Sequence, residues 1–220
     1  MPQSNNTVFA EGREILIEKA RLFREYRRLA QLFYGGRPFV AFDTETTGLA
    51  GASDYLLEVG AVKFNKDGLI GEVFNELIKP PVHIESCITQ INHIDDELVK
   101  DADCASAVLG RFIAYAGTKS VLLAHNAPFD VKFVNAGLIR AGLPQLKNMV
   151  IDTLQLARWA YPKLVNESEK GQYKLQSLAK RFCIEVFNAH RAADDARVCM
   201  EIFFRILSDT ESVQKPYAQS

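Results

Sequence analysis

The residues with the clearest potential for chemistry are acids that follow apolar, strand-like segments. Asp43 and Glu45 come directly after the apolar run 38–42, in the segment F-D-T-E-T-T-G. In an extended backbone, residues two apart point to the same side, so both carboxylates would project together from a strand end. Two like charges held this closely repel each other unless a cation lies between them.

Further acids and a histidine stand at comparable places along the chain. Asp130 follows the apolar run 121–124 at the start of a helical segment, and His190 and Asp195 lie where a loop enters the last helix. Each also has an ordinary explanation. Acids are favoured in the first turn of a helix by the macrodipole and as N-caps, and surface strands often carry acid pairs.

Taken together, these residue types indicate phosphodiester cleavage assisted by metal ions. Carboxylates are hard oxygen ligands, which select Mg²⁺ or Mn²⁺ rather than zinc or copper. Two such ions about 3.5–4 Å apart activate a water molecule and stabilise the leaving oxygen in many nucleases. A histidine beside them suits a general base.

The surrounding pattern predicts an α/β domain that could position these residues. Three strands joined by short turns are followed by helices alternating with strands, which predicts a mixed five-stranded sheet, an antiparallel meander and then parallel strands, flanked by helices. The predicted strands are 38–42, 56–64, 73–79, 121–124 and 149–151. The predicted helices are 11–33, 102–116, 129–141, 152–161, 173–182 and 192–207.

Three regions are expected along the chain. Residues 1–36 form an N-terminal helical extension, 37–210 the main domain, and 211–220 a flexible C-terminal tail. The extension contains an amphipathic helix, 11–33, with a basic polar face. That helix could pack against the main domain, dock a partner protein, or place a basic strip beside nucleic acid.

The composition limits the kinds of partner, metal site and cell compartment that we expect for this protein. The net charge is −1, so no strong overall field attracts nucleic acid, and local basic patches and bound cations must serve instead. The 4 cysteines are scattered without a C-x-x-C pair, which argues against a zinc site and a disulfide framework. No run approaches the ~18 apolar residues of a membrane span, so we expect a cytoplasmic protein without membrane contact.

Three ordered motifs carry a family resemblance. F-D-T-E-T-T-G, H-N-A-P-F-D and H-R-A-A-D-D-A begin at residues 42, 125 and 190. Together they resemble the proofreading exonuclease superfamily of the epsilon subunit of bacterial DNA polymerase III, in its histidine-containing DEDDh branch. The resemblance covers residues 38–207, and it implies a ribonuclease H-like fold and 3′–5′ exonuclease activity.

The same resemblance implies a function for each chemical residue. Asp43 would bridge two divalent cations, Glu45 and Asp195 would hold the ion that activates water, and Asp130 would support the second ion. His190 would be the general base. The family spacing places the ligand five positions after the histidine, which selects Asp195 over its neighbour Asp194.

The resemblance also implies contacts to the terminal nucleotide. The residues concerned are Thr46, Gly48, Leu49, Glu58, Asn126 and Phe129. Leu49 would wedge against the base, Glu58 would accept a hydrogen bond from the 3′-hydroxyl, and Phe129 would stack on a base. Ordinary core packing is the alternative for Leu49 and Phe129.

These observations lead to one main hypothesis and two alternatives. The main hypothesis is hydrolysis of single-stranded DNA from a free 3′ end to nucleoside monophosphates, in proofreading or repair. A ribonuclease resembling ribonuclease T or oligoribonuclease would use the same five residues. The other alternative is an exonuclease-fold subunit whose main function is docking to a polymerase or helicase subunit.

Overall fold

The computed structural model describes residues 26–164 and 171–214. The strands are β1 (Phe39–Thr46), β2 (Leu56–Asn65), β3 (Gly68–Leu69), β4 (Phe74–Leu77), β5 (Val121–Ala124) and β6 (Val150–Asp152). The helices are α1 (residues 26–34), α2 (Ser86–Asn92), α3 (Ala105–Ala116), α4 (Ala127–Arg140), α5 (Thr153–Ala160), α6 (Leu175–Phe182) and α7 (Ala192–Gln214), with a 3₁₀ turn at Pro162–Leu164.

The sheet is mixed, as the sequence predicts. β2 pairs antiparallel with β1, and β4 pairs antiparallel with β2, which makes the meander. β5 then pairs parallel with β1, and β6 with β5. The sheet has six strands rather than five, because the chain turns back after Asn65 and Gly68–Leu69 pairs with the end of β2.

Alternation along β1 builds two cores, one on each face of the sheet. Phe39 and Ala41 point into a core covered by α1, α5, α6 and α7, whereas Val40 and Phe42 point into a core covered by α3 and α4. All four side chains are fully buried. Since β1 is buried on both faces, it lies at the centre of a three-layer arrangement.

Helix α1 packs against the main domain. Tyr26, Leu29 and Phe33 belong to the first core, and the Phe33 ring meets the rings of Phe39 and Phe203 edge-on, each at 5.5 Å between centroids. The described part of the predicted helix 11–33 is therefore joined to the domain by apolar packing. Its first part, residues 11–25, lies outside the described residues.

Several predicted boundaries need correction. β1 continues through Thr46, so the paired acids lie within the strand rather than after it. Helix α2 was not predicted. α7 extends to Gln214, so residues 211–214 of the expected tail are helical, and 215–220 lie outside the described residues. No helix among the described residues is both long and apolar enough to cross a bilayer.

The start of α7 lies directly on β2, and a glycine allows this approach. Gly60 is paired with Asp43 across the β1–β2 ladder. A Cβ atom at Gly60 would overlap the backbone of Ala192 and Ala193 in the first turn of α7. Any larger residue there would push the helix away from the strand that carries the acids.

We therefore predict that Gly60→Ala destabilises the protein by about 1–3 kcal/mol or more, because backbone atoms cannot make room for the methyl group. Gly110→Ala is the matched control. Gly110 lies within α3 with open space at its Cβ position, so this change should raise stability by about 0.5–1 kcal/mol. Urea unfolding of both variants measures the difference, and equal stability of the two would contradict this account of how α7 docks.

Candidate active site

The paired acids lie on the face of β1 that α7 covers. Asp43 and Glu45 are two residues apart in the strand, and each is half-buried. Across the β1–β2 ladder, Asp43 is opposite Gly60 and Glu45 is opposite Glu58. Cross-strand partners point to the same face of a sheet, so Glu58 lies on the same side as the pair.

Asp130 joins the pair from the first turn of α4. Its side chain is buried, and one carboxylate oxygen accepts hydrogen bonds from the Thr44 backbone nitrogen at 3.0 Å and the Thr44 hydroxyl at 2.8 Å. Thr44 is the residue between the two acids of β1. The start of α4 is thus fixed to the strand at the position where the acids project.

The start of α7 supplies the remaining two residues. Ligand atoms of Glu45, His190 and Asp195 all lie within 4.8 Å of one another. Asp195 is buried and accepts a hydrogen bond from the Gln176 amide on α6 at 2.8 Å. His190 is exposed and has a left-handed backbone, with φ at 60°. The structure therefore brings residues from three elements to one place.

Two supporting residues were not predicted from the sequence. Gln176 orients Asp195, as described above. Asn92, at the end of α2, is buried; its side chain hydrogen-bonds to Glu45, and its oxygen accepts from the Ile94 nitrogen at 3.1 Å. Gln176 lies in the segment L-Q-S-L-A, residues 175–179, which also resembles the exonuclease superfamily and could have identified it. Nothing around Asn92 distinguishes it from a surface residue.

The four carboxyl groups share an electrostatic environment that disfavours negative charge. Burial raises the pKa of Glu45 to about 8 and that of Asp130 to about 7. Burial also raises the pKa of Asp43 and Asp195, and for Asp43 the charges of Asp130, Asp195 and Glu45 add to the effect. Oxygen ligands crowded in this way fit divalent cations, which would neutralise the repulsion.

A family comparison agrees with this geometry. The family model described as Exonuclease (RNase_T) matches residues 40–203. The chain belongs to this exonuclease family. The match begins in β1 and ends in α7. It therefore includes His190 and the four acids Asp43, Glu45, Asp130 and Asp195, which form the acidic cluster.

Curated relatives of the exonuclease domain are replication proteins. The chain is 42% identical over 171 residues to the DNA polymerase III subunit epsilon of Treponema pallidum, covering 77% of this chain and 76% of the relative. It is 40% identical over 175 residues to the PolC-type DNA polymerase III of Caldanaerobacter subterraneus subsp. tengcongensis, covering 80% of this chain. The chain spans 12% of the length of that second relative.

Solved structures with the same fold include Escherichia coli Exonuclease I. Its complex with a dT13 oligonucleotide superposes with a TM-score of 0.68 at 22% identity, covering 81% of this chain and 42% of that one. A second Exonuclease I structure gives a TM-score of 0.67 at 24% identity, with 79% and 41% covered. The chain thus spans less than half of Exonuclease I, and at this identity the likeness concerns the fold.

The segment that follows the acids of this exonuclease domain forms a loop beside the cluster. The Thr46 hydroxyl donates to the Gly48 carbonyl at 2.6 Å, and a Cβ atom at Gly48 would overlap the Asp54 carboxylate. Leu49 is 81% exposed, which excludes core packing, the alternative for this residue. Its side chain is free to meet a ligand at the edge of the site.

Asn126 and Phe129 lie at the start of α4. Asn126 is exposed with a left-handed backbone, and its nitrogen donates to Asp152 at 2.9 Å. Asp152 also caps α5 by accepting from the Leu154 nitrogen. Phe129 is half-buried and packs against Phe133, with 4.9 Å between ring centroids. Phe129 thus contributes to the core while remaining partly accessible.

Glu58 has an environment that the sequence does not predict. Its side chain is fully buried. Both of its oxygens accept hydrogen bonds from Arg191, and one of them also accepts from the Ala192 nitrogen. The predicted contact with a terminal 3′-hydroxyl stays a prediction, and these protein groups compete for the same oxygens.

The neighbouring acid Asp194 has a separate function from Asp195. One of its oxygens accepts from the backbone nitrogens of Phe187 and Asn188, both at 2.8 Å, and the other accepts from Arg197 at 2.9 Å. Asp194 therefore holds the loop before α7, whereas Asp195 faces the cluster. Successive helical residues diverge by about 100°, which explains the separation.

We predict that the melting temperature of the metal-free protein falls as pH rises from about 5 to about 8. The folded pKa values of Glu45 and Asp130, about 8 and about 7, exceed their ordinary values of 4.5 and 3.8. Unfolding therefore releases protons in this range, and the stability present at low pH is lost as pH rises. Thermal melts in EDTA measure this slope. In separate samples without EDTA, Mn²⁺ should raise the melting temperature more at pH 8 than at pH 6.

Glu45→Gln is the control for this dependence. The neutral amide cannot lose a proton, so the slope in EDTA should become shallower and the Mn²⁺ effect smaller. A wild-type melting temperature that is flat or rises between pH 5 and pH 8 in EDTA would show that the carboxylates are not crowded in solution.

Proposed function

We propose that this chain is a metal-dependent 3′–5′ exonuclease that hydrolyses single-stranded DNA stepwise from its 3′ end to nucleoside monophosphates. The observation that carries this proposal is the convergence of Glu45, His190 and Asp195, whose ligand atoms lie within 4.8 Å of one another, beside the half-buried Asp43 and the buried Asp130. Membership of the exonuclease family and the similarity to a DNA polymerase III subunit support a nuclease that acts on DNA.

The four carboxylates would hold two divalent cations, Mg²⁺ or Mn²⁺. Asp43 would contact both ions, Glu45 and Asp195 one of them, and Asp130 the other. Cations bound there supply water activation and charge stabilisation at the leaving oxygen. Asp130 is held by Thr44 and Asp195 by Gln176, so these side chains would be oriented before a metal or substrate arrives.

His190 would act as the general base. Its ring nitrogen lies within 4.8 Å of oxygens of Glu45 and Asp195, so it can take a proton from a water molecule bound at this edge of the cluster. Its exposure allows the proton to pass on to solvent. In this scheme the carboxylates stay deprotonated, and none of them takes the proton from the water molecule.

The terminal nucleotide would lie against the loop after β1 and the start of α4. Thr46 and Gly48 would shape the cradle, and the exposed Leu49 would wedge against the base. Asn126 and Phe129 would border the entering strand, where a partly accessible aromatic ring suits base stacking. Escherichia coli Exonuclease I forms complexes with dT13 and dA16 oligonucleotides, which supports a single-stranded DNA substrate here.

A polymerase subunit is the proposed protein partner. The epsilon and PolC-type relatives are parts of DNA polymerase III, and this supports association with a replicative polymerase over a helicase. Pull-down of the full chain against separately purified polymerase and helicase subunits tests the choice.

We predict that the wild-type protein shortens a 5′-labelled single-stranded DNA in single-nucleotide steps, and that it releases a 3′ label at once. Both reactions should require Mg²⁺ or Mn²⁺ and stop in EDTA, and a matched RNA should be trimmed more slowly. Asp43→Asn should abolish turnover while keeping the fold, since it relieves repulsion within the cluster. Faster trimming of RNA would favour the exoribonuclease alternative, and release of a 5′ label first would refute the polarity.

We also predict that His190→Ala lowers the hydrolysis rate by about 10²–10⁴ at neutral pH, the usual contribution of a general base. Metal affinity should be largely kept, because the four carboxylates remain. Rates at pH 6 to 10 measure the effect, and the variant should recover part of its activity at high pH, where hydroxide is more abundant. A normal rate at neutral pH would contradict the assignment of the base.

A further inference from the structure

An ion pair between a buried carboxylate and a partly exposed arginine joins β2 to the start of α7. Glu58 on β2 is fully buried, and a carboxylate in such a place is costly unless it is fully hydrogen-bonded. Arg191 donates to it through Nε at 3.2 Å and through Nη2 at 2.7 Å. The Ala192 nitrogen donates to the second oxygen at 3.0 Å. The fork of the guanidinium thus meets both oxygens of one carboxylate.

Arg191 also lies directly before the first residue of α7. Its carbonyl accepts from the nitrogens of Asp194 and Asp195, each at 3.0 Å, while its side chain is fixed to β2. The preceding residue, His190, has a left-handed backbone, and its nitrogen donates to the Asp195 carboxylate at 3.3 Å. The placement of the exposed imidazole therefore depends on how firmly Arg191 is held.

We propose that Glu58 and Arg191 form a latch that positions His190 and Asp195 over the β1 acids, and that Glu58 acts through Arg191 rather than by contacting the terminal 3′-hydroxyl. This inference rests on the proposed exonuclease function and names two positioning residues for it. Arg191 also pairs with a carboxylate directly opposite Glu45, so the charge of Glu58 beside the cluster has a cationic partner.

The test compares full-length variants on 5′-labelled single-stranded DNA ending in either a 3′-hydroxyl or a 3′-hydrogen, at saturating Mn²⁺. Glu58→Gln and Arg191→Gln should each lower kcat by about 10–10²-fold with little change in KM, the scale of a small misplacement of catalytic groups. The double variant should be no slower than the slower single variant, because both changes open the same latch.

The two substrates separate the latch from direct substrate contact. If Glu58 acts through Arg191, the preference for a 3′-hydroxyl over a 3′-hydrogen stays the same in every variant. Loss of that preference in Glu58→Gln alone, or normal kcat in Arg191→Gln, would overturn the proposal. Arg191→Lys keeps the charge without the planar fork, so its kcat should stay below the wild-type value. Full activity of this variant would contradict the requirement for a two-pronged contact between Arg191 and Glu58.

Arg111→Gln is the matched control, since Arg111 pairs with Glu76 of β4 and with Asp103 on an exposed surface. Its kcat should equal that of the wild type.

A second readout does not depend on activity. In ¹⁵N-histidine NMR spectra of the full chain, the ring signals of His190, assigned with His190→Ala, should shift or broaden alike in Glu58→Gln and Arg191→Gln. They should be unchanged in Arg111→Gln. Unaltered ring signals in both latch variants would refute the latch even if the wild type trimmed no DNA, whereas an inactive wild type with altered signals would refute only the proposed function.

Discussion

The poor solvation and mutual repulsion of clustered carboxylates are the constraint on which the rest of this structure depends. Asp43, Glu45, Asp130 and Asp195 are gathered at one end of the central strand, and each has a raised pKa because burial disfavours its charged form. No local preference of the chain would produce this arrangement, since it costs free energy without a cation. It is enforced by attachments elsewhere: the register of β1 with β2, the hydrogen bonds from Thr44 to α4, and the docking of α7 on the sheet.

Much of the fold could be predicted because its signals are local and repeated. Apolar alternation and turn residues identify the meander, and helical periodicity identifies most of the helices that cover it. The two missed elements are short: β3 has 2 residues and α2 has 7, so neither is long enough for a period to emerge. The end of β1 was missed for a different reason. Its last residues are polar because they face the site, and the apolar pattern that indicates a strand stops before the strand does.

The chemical residues were accessible from the sequence, whereas their supports were not. Asp43 and Glu45 share a motif with fixed spacing, so their types and order are visible along the chain. Gln176 and Asn92 orient the acids from other elements. A motif marks the segment of Gln176, but a hydrogen bond between distant segments leaves no spacing that shows which acid it contacts. The same holds for the ion pair of Glu58, whose partner Arg191 lies 133 residues away in sequence. Tertiary structure alone brings that arginine to it.

The central claim is that these carboxylates form one site for two neighbouring cations. Electron paramagnetic resonance of the full-length protein titrated with Mn²⁺ at pH 7.5 tests it most directly. The account predicts that two ions bind per chain and that their spectrum shows the exchange coupling expected at about 3.5–4 Å, with the coupling lost in Asp43→Asn. Only isolated, uncoupled Mn²⁺ signals, the same in the wild type and the variant, would contradict it.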